Sequence, residues 1–150
     1  MDDTQFMTAA LDEAQRAEAR GEVPIGAVLV NPVTGEIVAR DGNRTIEYSD
    51  PTAHAEINVI RAACRQTGAQ RIPGYDLYVT LEPCTMCAAA LSFARIQRLI
   101  IGALDPKGGG VMHGARFFDQ PTCHHRPEIL HGILQEPCGQ ILKDFFKHKR

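Results

Sequence analysis

A three-layer α/β domain is the fold class that the sequence predicts. Three observations carry it. β-rich runs alternate with segments of helical periodicity. The length of 150 residues suits one compact domain with its own hydrophobic core. No repeat, low-complexity tract or internal linker divides the chain, so a single domain over 1–150 is expected.

The elements follow in order. Phe6, Met7, Ala10, Leu11, Ala14 and Ala17 recur at helical spacing among charged residues, which predicts a first helix over about 4–20, ended by Gly21. Residues 24–30 form a β-rich run, a turn follows at 31–35, and 36–40 return as a second strand, so this segment reads as a hairpin. A polar loop over 42–52 leads to a helix over about 54–67, closed by Gly68. Residues 76–81 read as a short buried strand. Pro83 suits the first position of the next helix, which Ala88, Ala89 and Ala90 continue to about Ala94. Residues 99–102 form another strand. The remaining pattern reads helix, strand, loop, strand, helix, with a glycine-rich stretch at 107–110. The last helix spans about 134–148, with Ile141, Leu142, Phe145 and Phe146 on its apolar side.

Composition bounds the class. Apolar residues make up 44% and charged residues 23%, as in ordinary globular proteins. No apolar run is long enough to span a bilayer, and Met1-Asp2-Asp3 is acidic where a secretory leader is basic, so a cytoplasmic location with no membrane partner is expected. Five cysteines, without such a leader, point to metal or thiolate chemistry rather than to disulfides. The net charge of −2 conceals an asymmetry: residues 1–94 carry 7 basic and 13 acidic side chains, and 95–150 carry 9 and 5. All four lysines (Lys107, Lys143, Lys147, Lys149) lie in the second part, which directs a polyanion to the C-terminal side.

Two short segments carry chemistry: His54-Ala55-Glu56, opening one predicted helix, and Pro83-Cys84-Thr85-Met86-Cys87, opening the next. Cysteines three apart in a first helical turn share a face, so both sulfurs can reach one ion. The helix N-terminus favours the thiolate that binds metal. With His54 the set offers three ligands, and a tetrahedral Zn²⁺, one per subunit, keeps an open position as catalytic sites do. Residues two apart on a regular helix diverge by about 200°. His54 must therefore stand at the very start of its helix if Glu56 is to face the same pocket. Glu56 then serves as proton carrier rather than ligand. Two thiolates neutralise the ion's charge, which leaves bound water less acidic and a nearby base more necessary. A lone Cys-x-x-Cys is commonly structural or redox-active, but a structural zinc site wants a fourth Cys or His, and none stands at ligand spacing here.

These segments resemble the cytidine deaminase superfamily and, within it, the bacterial tRNA-specific adenosine deaminases. The likeness runs over nearly the whole chain, through residues 22–28, Gly42-Asn43-Arg44, 50–56, 78–84 and the ending Asp144-Phe145-Phe146. The resemblance implies a mixed five-stranded sheet between helices, a homodimer, and hydrolytic deamination of the wobble adenosine (position 34) of tRNA-Arg with anticodon ACG to inosine. A loop base is already unpaired, so extruding it costs little. By the same resemblance Glu56 is the catalytic residue, and His54, Cys84 and Cys87 hold the zinc. The resemblance implies nucleoside contacts by Asn43 and, through its backbone, by Ala55; the further candidate substrate-binding residues are Asp105, His124, Phe145, Phe146 and Arg150. Two departures stand out: many relatives carry Asn where His124 stands, and some carry a basic residue where Leu104 stands. An imidazole can still donate to or accept from a ribose or base.

Phe145 and Phe146, followed by Lys147, His148, Lys149 and Arg150, offer a stacking surface beside phosphate-binding charge; the alternative is core packing with a solvated helix end. Cys123, His124, His125, His131 and Cys138 match no compact zinc template. Cys64 reads as a small buried apolar residue. Gly108-Gly109-Gly110 lacks the ending of a phosphate loop and reads as a flexible substrate-side segment. A tRNA anticodon loop is thus the expected partner, with no DNA partner. Deamination of a free base, nucleoside or nucleotide (guanine, cytosine or cytidine) is the alternative that shares every metal residue. A zinc-stabilised RNA-binding domain is the non-enzymatic one.

Overall fold

The computed structural model describes residues 1–149. Its elements are α1 (Asp3–Ala19), β1 (Gly26–Asn31), β2 (Glu36–Gly42), α2 (Ala55–Thr67), β3 (Asp76–Leu81), α3 (Thr85–Ala94), β4 (Arg98–Ala103), a 3-10 turn (Phe117–Asp119), β5 (Glu128–His131) and α4 (Gln135–His148). The strands form one sheet in the order β2-β1-β3-β4-β5. β1 runs antiparallel to β2 and β3, whereas β3, β4 and β5 are parallel, so the sheet is the expected mixed one.

Strand periodicity explains the three layers. Ala27 and Leu29, Leu77 and Val79, and Leu99 and Ile101 point to one face, where they pack on Ala55, Val59, Ala88 and Leu91 of α2 and α3. The intervening Val28, Val30, Tyr78 and Ile100 point to the other, against Phe6, Met7 and Ala10 of α1 and Cys138 of α4. Both faces are covered, so the central strands read as unbroken apolar runs. Each buried Leu or Ile contributes about 1.5–3 kcal/mol.

Local chemistry sets the helix ends. Asp2 caps α1: its carboxylate accepts the Gln5 N–H while the Gln5 side chain accepts the Asp2 N–H. Gly68 closes α2 at φ +72°, a left-handed conformation that glycine adopts without a Cβ penalty. Arg98 ties α1 to the sheet, donating from Nε to Asp76 (2.9 Å) and from a terminal nitrogen to Asp3 (3.2 Å), where the Tyr78 hydroxyl also donates.

Three expectations are corrected. Pro83 precedes the cap rather than opening α3, because Cys84 takes the N-cap at φ −68°, ψ 172° and Thr85 is the first helical residue. Past β4 the chain makes one strand and one α-helix, not two of each. Residues 104–127 contain Pro106, Pro121, Pro127 and four glycines, which break any regular run, and only the 3-10 turn forms there. The glycines at 109 and 110 are buried and hydrogen-bonded rather than free. Phe146 lies one turn from the buried Leu142 on the same side of α4 and is 48% exposed, while Phe145 is half-buried. Arg150 lies outside the described residues.

Candidate active site

The site assembles where two helices begin on the same face of the sheet. His54 is the N-cap of α2, with extended backbone (φ −72°, ψ 156°), so its side chain leaves the helix axis before the spiral starts. That meets the geometric condition for His54 and Glu56 to share a pocket. Cys84 takes the equivalent place at α3, and Cys87 follows within the first turn. His54 Nδ1 lies 3.6 Å from Cys84 Sγ and 3.4 Å from Cys87 Sγ. Zn–N and Zn–S bonds of about 2.0 and 2.3 Å at the tetrahedral angle place N and S about 3.6 Å apart. The donors therefore already stand where one zinc ion requires them. This is the cluster of three metal-binding groups found among the described residues.

The electrostatics agree with the donor set. A hydrogen bond from the Cys87 thiol, helped by one from His54, brings the Cys84 pKa down to about 4. Cys87, which donates that bond and is buried, is pushed up, and the hydrogen bond to Cys84 raises His54. A bound cation would favour the thiolate form of both cysteines and displace the Cys87 proton. Glu56 is buried, 3% exposed, in the first turn of α2, and desolvation raises its pKa to about 7.

Asn43 is buried, and its Oδ1 accepts the Ala55 N–H at 2.9 Å, so it fixes the start of the helix that bears His54 and Glu56. Among the described residues its amide nitrogen has no protein acceptor. Asp105 is partly exposed; its Oδ1 accepts the N–H groups of Lys107 (3.2 Å) and Gly108 (3.0 Å). His124 is exposed and makes no hydrogen bond among the described residues. Phe145 and Phe146 meet edge to face at 5.3 Å, and the Lys149 ammonium sits 5.3 Å over the Phe145 ring. Phe146 lines a groove of about 550 Å³ between α4 and residues 104–107, with Leu81, Leu104 and Leu142 as its floor and Lys107, Lys143 and Lys147 on its rim. None of His54, Glu56, Cys84 and Cys87 lines this groove.

The remaining polar candidates are used elsewhere. His125 Nε2 faces the Ile96 carbonyl at 2.7 Å, Cys123 lies 3.6 Å from the Ser92 hydroxyl, and Cys138 is buried between α4 and β4. Cys64 is partly buried at the edge of the core, as its place in α2 dictates.

Two buried carboxylates escaped the sequence reading. Glu22, 1% exposed, accepts the N–H groups of Ile46 and Glu47 and the Thr45 hydroxyl. It thereby shapes the loop running from Asn43 to His54. Glu82 accepts hydrogen bonds from Asp105, Val111, Met112 and His113. In both, burial alone would raise the pKa, but the donors outweigh it and hold the group below the usual carboxylate range. For Glu82 the available signal was an acidic residue wedged between an apolar strand and Pro83, with three glycines downstream to make room.

Comparison with known proteins places this geometry. Residues 1–103, which include all three candidate ligands and Glu56, match the family model of the cytidine and deoxycytidylate deaminase zinc-binding region. The tRNA-specific adenosine deaminase of Agrobacterium fabrum (strain C58) is 61% identical over 147 residues, 98% of this chain and 95% of its own length. A solved structure from a study of A-to-I editing by tRNA:A34 deaminases superposes with a TM-score of 0.90 at 62% identity, covering 93% of this chain and 99% of the other. The guanine deaminase of Bacillus subtilis is more distant, with a TM-score of 0.69 and 29% identity over 99% of this chain and 94% of its own. The chain belongs to the zinc-binding cytidine and deoxycytidylate deaminase family and, within it, to the tRNA-specific adenosine deaminases.

Proposed function

We propose that this protein is a zinc-dependent hydrolase that converts adenosine at wobble position 34 of tRNA to inosine and releases ammonia, with tRNA-Arg (ACG) as substrate. The observation that carries this reading is the donor triangle of His54, Cys84 and Cys87 beside a buried Glu56, in a chain 61% identical to a tRNA-specific adenosine deaminase over nearly its full length. His54, Cys84 and Cys87 would hold one Zn²⁺ per subunit, and the ion would supply Lewis acidity to the hydrolysis. Glu56 holds and moves the protons. It accepts one from the attacking water and passes it to the ring nitrogen beside C6, then takes the second from the new C6 hydroxyl and gives it to the amino group, which leaves as ammonia as the C–N bond breaks and the carbonyl forms. Burial excludes bulk water from that exchange. Asn43 Nδ2 offers a donor to the nucleoside, and Ala55 offers backbone contacts to the base.

The groove along α4 suits nucleotides that flank the target base. Its apolar floor and exposed Phe146 accept a stacked base, and Lys107, Lys143 and Lys147 meet phosphates. Asp105, His124, Phe145 and Arg150 complete the proposed substrate contacts. A homodimer is supported by one face of α3, where Met86 (37% exposed) and Phe93 (69% exposed) flank Ala89 and Ala90 at helical spacing. No helix among the described residues is long and apolar enough to cross a membrane. The reading places the enzyme with tRNA in the cytoplasm, acting on RNA and not DNA.

Incubation with total tRNA, followed by sequencing, tests the proposal: A-to-G changes should appear at the first anticodon position of tRNA-Arg. Zinc-loaded enzyme that leaves that adenosine unchanged defeats it. Turnover of free guanine or cytidine without any RNA change selects the small-molecule reading.

A further inference from the structure

Glu82 follows the last residue of β3 and stands two positions before Cys84. Its side chain is wholly buried, at 0% exposure. Its carboxylate accepts five hydrogen bonds, all from one distant segment. Oε1 takes the Asp105 N–H (3.0 Å) and the His113 Nδ1–H (2.9 Å), while Oε2 takes the N–H groups of Val111 (3.1 Å), Met112 (2.9 Å) and His113 (3.1 Å). A buried carboxylate is costly unless its lone pairs are filled, so these donors are bound to one arrangement. Two glycines permit the approach. A Cβ on Gly109 would lie 2.2 Å from Glu82 Oε2, and one on Gly110 would lie 2.5 Å from the Thr85 nitrogen. The Gly110 N–H also donates to the Pro83 carbonyl at 2.8 Å. The 105–113 segment is thus clamped on both sides of the Pro83-Cys84 step.

We propose that Glu82 is a positioning residue for deamination: it holds the 105–113 segment as a wall of fixed geometry against the Cys84 end of α3, so that Asp105 and Lys107 meet the RNA in one arrangement. This deepens the tRNA reading and rests on it. The wall is built before substrate arrives, so its loss weakens RNA binding more than it slows chemistry. Glutamine cannot replace the carboxylate. An amide NH₂ turned toward the Oε1 position faces the Asp105 N–H, and turned the other way it faces three N–H groups.

The test is Glu82→Gln beside Asp76→Asn, which breaks the Arg98 ion pair at the opposite end of β3 and controls for lost stability. Zinc content, amide hydrogen exchange and deamination of an anticodon stem-loop are read for both. E82Q should keep one zinc per chain, exchange faster at residues 105 and 111–113, and raise KM about tenfold while kcat changes less than about threefold. D76N should leave KM unchanged. Loss of zinc from E82Q, unchanged exchange, a fall confined to kcat, or an equal KM rise in D76N would each overturn the proposal. If E82Q yields no soluble protein, His113→Ala removes one of the five bonds, keeps the carboxylate and must shift the same readouts in the same direction. Wild-type enzyme inactive on tRNA but active on a free base defeats the tRNA reading alone; exchange at 105 and 111–113 then still decides whether Glu82 holds the wall.

Discussion

His54 Nδ1 stands 3.4 Å from Cys87 Sγ although 33 residues separate them in the chain. That distance is close to the one that two ligands of a single tetrahedral zinc adopt. Cys87→Ser should bring zinc content down to background and take deaminase activity with it. Elemental analysis of purified protein checks this, and one zinc retained per chain would remove Cys87 from the ligand set.

Glu56 is buried beside the three candidate ligands, and its proposed role is proton carrier rather than fourth ligand. Glu56→Gln should keep zinc stoichiometric and lower kcat by about 10²–10⁴-fold, the range a positioned proton carrier supplies. Single-turnover deamination measured alongside metal content separates this from a loss of metal. Near-wild-type kcat in the zinc-loaded variant would assign the protons elsewhere.

Asn43 has a structural half and a free half. Its Oδ1 accepts the Ala55 N–H, while its amide nitrogen, without a protein acceptor among the described residues, is the proposed donor to the nucleoside. Asn43→Ala should cost about 1–3 kcal/mol of stability, because a buried N–H loses its partner. Asn43→Asp keeps the acceptor and removes the donor, so it should melt near wild type yet bind RNA more weakly. Thermal melts and stem-loop binding of the two variants check the split; equal melting of both would refute it.

Glu22 makes stability depend on pH. Its folded pKa lies below the usual value, so its contribution is fully present above about pH 4.5 and is lost as pH falls through the depressed value. Glu22→Gln should be less stable than wild type by about 1–3 kcal/mol at neutral pH, with the gap closing under acid conditions. Denaturant titrations between neutral and acid pH measure it. A gap that widens in acid reverses the sign and contradicts the assignment.

Lys143 and Lys147 line the rim of the groove beside α4. If each meets a phosphate, Lys147→Ala should weaken stem-loop binding and reduce the slope of log K against log salt by about 0.7–0.9. Binding titrations over a range of salt concentrations read the slope directly, and an unchanged slope takes Lys147 out of the interface.

Much of the fold was legible because the local signals agree with the tertiary outcome. Apolar runs at 24–30 and 76–81 became strands, and the glycine stops at Gly21 and Gly68 fall at helix ends near their expected places. The stretch past β4 was not legible. The fixed arrangement of its first part comes from Glu82, whose carboxylate organises backbone groups 23 to 31 residues away, and no period in the local sequence reports such a contact. The same reason hid Glu22, which acts across 24 and 25 residues on Ile46 and Glu47.

By itself the sequence determined which chemistry is available: His54, Glu56, Cys84 and Cys87 are recognisable because donor type and short spacing are written locally. Only the tertiary structure decided how they meet. The face of the sheet that α2 and α3 share brings two helix starts together, and burial desolvates Glu56 between them. Two acid side chains with no ligand of their own, Glu22 and Glu82, hold the surrounding loops, because a buried carboxylate must collect donors wherever the fold supplies them.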